Sequence, residues 1–238
     1  DKGDYRMKQF SDENMCRLYE KFILEFYKRH YPELNAEASQ IDWNVQKDRL
    51  ESIAEHTFGV AMLALAMKSE FQYDVDIQKV IYMLSIHELE EILIGDLTMF
   101  QITKEEKKVI GHKAVSEILK DLLDKEEIEK IIYEFDERKT KEAHFAHLCD
   151  KMECDLQAKL YDEEGAIKYT ADKKLDNIHI EGNDSSNHKI VKRLLDSGNT
   201  WSEMWLKFGQ EIYDYDDNFR KVSNYAINNE ISKFKIKK

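Results

Sequence analysis

Two histidines, His56 and His87, are the residues of this chain best placed to do chemistry. If the segments around them form a helical hairpin that turns near residue 73, His56 lies about 17 residues before the turn and His87 about 14 after it. At ~1.5 Å rise per residue the two imidazoles then differ in height by only ~5 Å, so they can meet. On the second helix, steps of one, three and four residues put Leu84, His87, Glu88 and Glu91 on one stripe. An apolar face thereby changes into one of imidazole and carboxylate. These groups are ligands of first-row divalent cations, and a site with open coordination positions can turn a water into hydroxide near neutral pH. A histidine on such a face is also commonly a core or surface residue, so spacing alone leaves the metal and the structural readings level.

The elements that must hold these residues are helical. Apolar residues recur at spacings of three and four along most of the chain, and strand-like alternation is scarce. A single proline, Pro32, and eight glycines leave few residues suited to tight turns. The pattern predicts an all-α fold, one helical domain over residues 1–238. A first helix is expected at 11–30, where Met15, Leu18, Phe22, Phe26 and Arg29 step along one face before Pro32. Ser52, with Glu55 three residues on, reads as a capping box that opens a helix at 53–70. Further helices are expected at 75–93, closed by Gly95, and at 103–123, 126–137 and 140–162. A last long helix or pair covers 187–228. The polar stretch 163–188 is expected to be a mobile loop over a cleft.

Composition narrows the classes. Of 238 residues, 48 are acidic and 36 are Lys or Arg, a formal charge of −12, which argues against binding to a nucleic acid polymer. Hydrophobic residues make up 42% and aromatics 11%, enough for a sizeable core. No run approaches the roughly 18 apolar residues of a membrane span, and mean hydropathy is −0.66. The opening DKGDYRMKQF has no apolar core for a signal peptide, so a cytoplasmic location without membrane contact is expected. Cys16, Cys149 and Cys154 lack CxxC spacing and read as buried thiols in a reducing compartment. Charge runs such as TKEEKK and LLDKEEIEK read as solvated helix faces, and the final SKFKIKK as a frayed tail.

The stretch RLESIAEHTFGVAMLALA, followed by HELEEILIGDLT and then HFAHLCDKMECDLQA, resembles the HD-domain phosphohydrolases, particularly the branch that contains bacterial 5′-deoxynucleotidases. The likeness covers roughly residues 40–165. It implies an HD-type helical bundle and one divalent ion, of Mn, Co, Fe, Mg, Ni or Zn, held by His56, His87, Glu88 and Asp150. Glu88 departs from the family pattern, which has Asp after the second histidine. One extra methylene moves a carboxylate by about 1.5 Å, against metal-ligand tolerances of about 0.2 Å.

The same resemblance implies that Glu91 and Asp96 act on the nucleophilic water and the leaving oxygen. Glu91 stands one helical turn beyond His87, within reach of a water without being a ligand, as a general acid or base must be. Arg49 corresponds to a basic position that could clamp a substrate phosphate with two hydrogen bonds, and Trp43 to an aromatic near the nucleotide. His144 and His147 share a helix with Asp150, and only His147, three residues away, is near enough in angle to support it.

The activity implied is that of a metal-dependent 5′-nucleotidase acting on deoxynucleoside 5′-monophosphates, with a small nucleotide as partner and a homodimer as its assembly. One alternative is another HD hydrolase, a pyrophosphohydrolase or phosphodiesterase. Alarmone hydrolases carry Glu-Asp where this chain has Glu91 and Ile92, which counts against them. The other is a helical protein without catalysis that binds metal or another protein. Glu88 favours that reading, while Glu91, Asp96 and Asp150 oppose it.

Overall fold

The computed structural model describes residues 51–97, 102–167 and 186–232. The expected helix at 11–30, Trp43, Arg49, most of the 163–188 stretch and the lysine tail lie outside the described residues. Every regular element within them is an α-helix, as expected.

The first element, α1 (Ile53–Phe71), begins where the sequence places it. Ser52 Oγ accepts from the Glu55 amide, and the Glu55 carboxylate accepts in return from the Ser52 amide. Two donors that the helix itself leaves unpaired are thereby satisfied. Gln72 ends α1 in the left-handed region, φ 55°. Asp76 then caps α2 (Ile77–Ile86) by accepting from the Gln78 and Lys79 amides. The hairpin expected from the spacing of the two histidines is therefore present.

The next stretch differs from expectation. A single helix over 75–93 would have run through His87 and Glu88, but α2 stops at Ile86 and α3 (Glu91–Ile94) is separate. Between them the amides of Leu89 and Glu91 bond carbonyls only three residues back, Ile86 and Glu88. This is the tighter 3₁₀ pattern, which winds three residues per turn. After it come α4 (Lys104–Leu119), shorter than the expected 103–123, then α5 (Lys125–Glu137) and α6 (Lys141–Glu163). The expected last helix or pair is three helices, α7 (Ser186–Asp196), α8 (Trp201–Ile212) and α9 (Asp217–Asn228). Thr200 and Asp216 cap the second and third of these, so new helices start where one long one was expected.

Among the described residues the longest helix, α6, is the axis of the bundle, and α1, α2, α5, α8 and α9 all pack on it. Its Ala143, Phe145, Ala146, Leu148, Cys149 and Met152 meet Val60, Ala64 and Met67 of α1, Val80, Met83 and Leu84 of α2, and Phe219 of α9. Side chains as buried as Val60, Met83 and Phe219, each 0% exposed, contribute about 1.5–3 kcal/mol apiece. Cys149 is buried, consistent with its reading as a thiol packed in the core. Where α8 crosses α6, a Cβ on Gly209 would overlap Asp155 Oδ2, so the close approach needs glycine there. Among the described residues no helix is long and apolar enough to cross a membrane.

Candidate metal centre

The packing of α1, the α2–α3 turn and α6 brings together four side chains from three places in the chain. Ligand atoms of His56, His87, Glu88 and Asp150 lie within 4.8 Å of one another. His56 projects from the first turn of α1, fixed by the capping box. His87 is the C-cap of α2. Asp150, 2% exposed, comes from the middle of α6. The two imidazole rings are 5.5 Å apart between centroids. His56 Nε2 is 3.3 Å and His87 Nε2 3.8 Å from Asp150 Oδ1. Glu88 Oε1 stands 3.3 Å from His87 Nε2, so the glutamate carboxylate reaches the group despite its extra methylene.

Each histidine is oriented through its other nitrogen. His87 Nδ1 lies 2.7 Å from the Leu84 carbonyl, which can only accept, so the proton is on Nδ1 and Nε2 is free to offer its lone pair to the cluster. His56 Nδ1 likewise donates to Glu153 Oε2 at 2.7 Å. A metal-binding histidine is characteristically held in this way by a carboxylate or carbonyl. His87 Nε2 and Asp150 Oδ1 are buried and without a hydrogen-bond partner. Buried polar atoms are rarely left so, and a cation between them would satisfy both. The donor set of two imidazoles and two carboxylates therefore fits a first-row divalent ion.

The electrostatics agree. Burial opposes the charged form of His56, yet the neighbouring carboxylates of Asp150 and Glu153 raise its pKa well above the usual value. His87 is raised in the same way against burial, by Glu88 and Asp150. The carboxylates favour positive charge at the histidines, and the same field favours a cation bound between them. Burial would also raise Asp150, but Lys151 and the two histidines bring it well below the ordinary carboxylate range.

Glu91 and Asp96 flank the cluster. Glu91 is 6% exposed at the start of α3. Burial first and the Glu88 charge second push its pKa well up. Burial would raise Glu88 as well, but His87 brings it down, so the two neighbouring carboxyls shift in opposite directions. Asp96 follows Gly95, whose φ of 72° lets the chain turn at the end of α3. Its carboxyl is raised by burial, against the pull of Lys107, and shares a hydrogen bond with Glu91. It is partly buried and faces the cluster, unlike a solvated turn residue.

Glu153, Lys107 and Lys151 also belong to this site and are absent from the sequence reading. Glu153 is three residues after Asp150 on α6, a spacing that could have pointed to it. Lys107 lies in the TKEEKK run read as a solvated face. The structure corrects that, because its ammonium is 3.1 Å from Glu91 Oε1. Lys151 Nζ is 2.9 Å from Asp150 Oδ2. His147 is 4% exposed with Nδ1 3.9 Å from Asp150 Oδ2, beside the cluster rather than in it. His144 is not part of the group. Arg49 and Trp43 lie outside the described residues.

Comparison with known proteins places the chain among relatives. The 5′-deoxynucleotidase HDDC2 of Dictyostelium discoideum is 34% identical over 122 residues, which cover 48% of this chain and 64% of that protein. The match thus spans a little under two thirds of that relative's length. Among solved structures, the crystal structure of a predicted metal-dependent phosphohydrolase from Magnetospirillum magnetotacticum MS-1 aligns with a TM-score of 0.52 at 18% identity. The alignment covers 90% of this chain and 94% of that one, a likeness of fold. The sequence profile of the HD domain matches residues 40–191, the stretch that holds His56, His87, Glu88 and Asp150. With more than half its length matched, the chain belongs to the HD-domain family.

Proposed function

We propose that this protein is a metal-dependent phosphohydrolase, most specifically a 5′-nucleotidase that hydrolyses deoxynucleoside 5′-monophosphates to nucleoside and phosphate. The observation that carries the reading is the convergence of His56, His87, Glu88 and Asp150 within 4.8 Å, beside Glu91, whose carboxyl pKa burial and the Glu88 charge push up. In this reading the four residues hold one divalent ion, which when bound supplies Lewis acidity to a water and to a phosphoryl oxygen.

The chain's own groups do the rest. Glu91, whose carboxyl pKa burial pushes up, is placed to exchange a proton with the water or with the departing 5′-oxygen. Asp96, joined to Glu91 by a hydrogen bond, acts on the other partner in that exchange. Lys107 sits on Glu91 and offsets the negative charge that four neighbouring carboxyl groups would otherwise build up. Arg49 and Trp43 are proposed to hold the substrate's phosphate and base. The nucleotidase assignment draws on the Dictyostelium relative, and the phosphohydrolase assignment on the residue set itself.

The test is phosphate release from nucleoside mono-, di- and cyclic phosphates with manganese, cobalt or magnesium, against a chelated control. Release confined to 5′-monophosphates is expected. Release only from diphosphates or cyclic nucleotides would make the protein a different phosphohydrolase. No release under any of these conditions would favour a binding protein.

A further inference from the structure

Asp150 offers its two oxygens to different neighbours. Oδ1 faces the histidines, 3.3 Å from His56 Nε2 and 3.8 Å from His87 Nε2, and is buried without a hydrogen-bond partner. Oδ2 is paired with the ammonium of Lys151 at 2.9 Å. His147, the residue that the sequence suggested as a support for Asp150, does not reach it, because 3.9 Å from Nδ1 to Oδ2 is too long for a hydrogen bond. Lys151, not His147, holds the carboxylate from behind.

A helix does not impose this pairing. Successive side chains on α6 leave the axis about 100° apart, so neighbours in sequence do not face each other. Lys151 must curl its stem back across the helix to bring Nζ to the carboxylate of the residue before it. A lysine ordinarily lays its stem on the protein and sends its ammonium into water. Here the side chain is only 28% exposed, and the ammonium turns to a carboxylate that is itself 2% exposed.

A carboxylate can bind a metal ion through one oxygen or through both. An ammonium on Oδ2 blocks the second mode. It fixes the rotation of the carboxylate, leaves Oδ1 turned to the two imidazoles, and repels a cation that approaches Oδ2. We propose that Lys151 is a positioning residue that restricts Asp150 to a single metal-binding oxygen, Oδ1. This role rests on the reading of the cluster as a metal site, whereas the ion pair that motivates it does not. It differs from the role of Glu153, which orients a ligand through the far nitrogen of His56 and places no positive charge beside the ion.

The experiment loads the full chain with cobalt(II), whose visible absorption reports coordination geometry and weakens as ligand atoms are added. Lys151→Met keeps most of the apolar stem and removes the charge, while Lys151→Arg keeps the charge and the N–H donors. At one cobalt per chain, Lys151→Met is expected to lose visible intensity as Oδ2 joins the ion, and Lys151→Arg to keep a spectrum close to wild type. Cobalt affinity, measured by competition with a chelator, is expected to be equal to wild type or tighter in Lys151→Met, since a cation has been removed from beside the ligand. A residue that merely supported the fold would do the opposite, lowering affinity and melting temperature without altering the spectrum. Should Lys151→Met fail to fold, Lys151→Gln, which retains a donor for the buried oxygen, is expected to show the same spectral change to a smaller extent. An unchanged spectrum in the neutral variant, or an affinity lowered by about tenfold or more as for a lost supporting contact, overturns the role of Lys151 and leaves the metal site standing. Wild-type protein that takes up no cobalt overturns the metal reading, and this role with it.

Discussion

Glu153 Oε2 lies 2.7 Å from His56 Nδ1 and so fixes which nitrogen of His56 faces the cluster. Removing such a supporting carboxylate characteristically weakens metal affinity by about 10–100-fold. Glu153→Gln is expected to fall in that range, measured by competition with a chelator of known affinity. An affinity equal to wild type would mean that the pair serves packing alone.

Gly59 makes room for that carboxylate. A Cβ at Gly59 would stand 2.5 Å from Glu153 Oε1, too close to coexist with the present rotamer. Because Glu153 is a flexible side chain, Gly59→Ala should leave the fold intact and displace the carboxylate from His56. The expected result is a metal affinity lowered about as far as in Glu153→Gln, within the same 10–100-fold range, with little change in melting temperature. Combining the two substitutions should add almost nothing, since both remove one contact.

Metal content tests the cluster directly. Protein purified without chelator should carry about one first-row transition metal per chain, as one cluster of this donor type requires. His56→Ala and His87→Ala should each abolish that stoichiometry, and unaltered content in both would dismiss the site. Glu88→Asp, which restores the family's pair, should retain or tighten binding.

Chemistry and binding separate at Glu91 and Asp96, neither of which is among the grouped ligand atoms. Each alanine substitution should lower kcat by about 100-fold or more, the range for a positioned acid or base, at unchanged metal content. If the pair works as one unit through its hydrogen bond, the double variant should lose far less than the product of the single losses. Full kcat in both single variants would assign proton transfer to other groups.

Asp155 gives a pH-dependent stability. It is 4% exposed and accepts from Tyr215 OH at 3.0 Å. Burial raises its carboxyl well above the usual pKa of 3.8. The folded state therefore keeps a proton that the unfolded chain releases. Its contribution is fully present below the unfolded pKa, then falls as pH rises toward the folded pKa. The slope is about 1.4 kcal/mol for each pH unit in which only the folded state holds the proton. Asp155→Asn should remove this component and raise the melting temperature at neutral pH, by about 2–4 °C for each kcal/mol regained. The gain should vanish toward pH 3. A gain of equal size at both pH values would show that charge at Asp155 is not the cause.

The sequence by itself determined what local periodicity and counting can carry. Repeats of three and four dictated helices, Ser52 and Glu55 the start of α1, and similar distances from a common turn the meeting of His56 with His87. Each depends on residues a few positions apart or on the constant rise of a helix, so no knowledge of packing is needed. Resemblance added Asp150 from a distant segment. Tertiary structure alone decided the rest. It tightened the chain at His87 to end α2 before Glu88, and it divided 186–228 into three helices where long periodicity suggested one or two. It also decided the fate of charged residues. Lys107, in the TKEEKK run, read in sequence as a solvated charge on a helix face, and no motif of its own marked Glu153. A charge becomes part of a site only when other helices remove its water and bring an opposite or hydrogen-bonding group within about 3 Å.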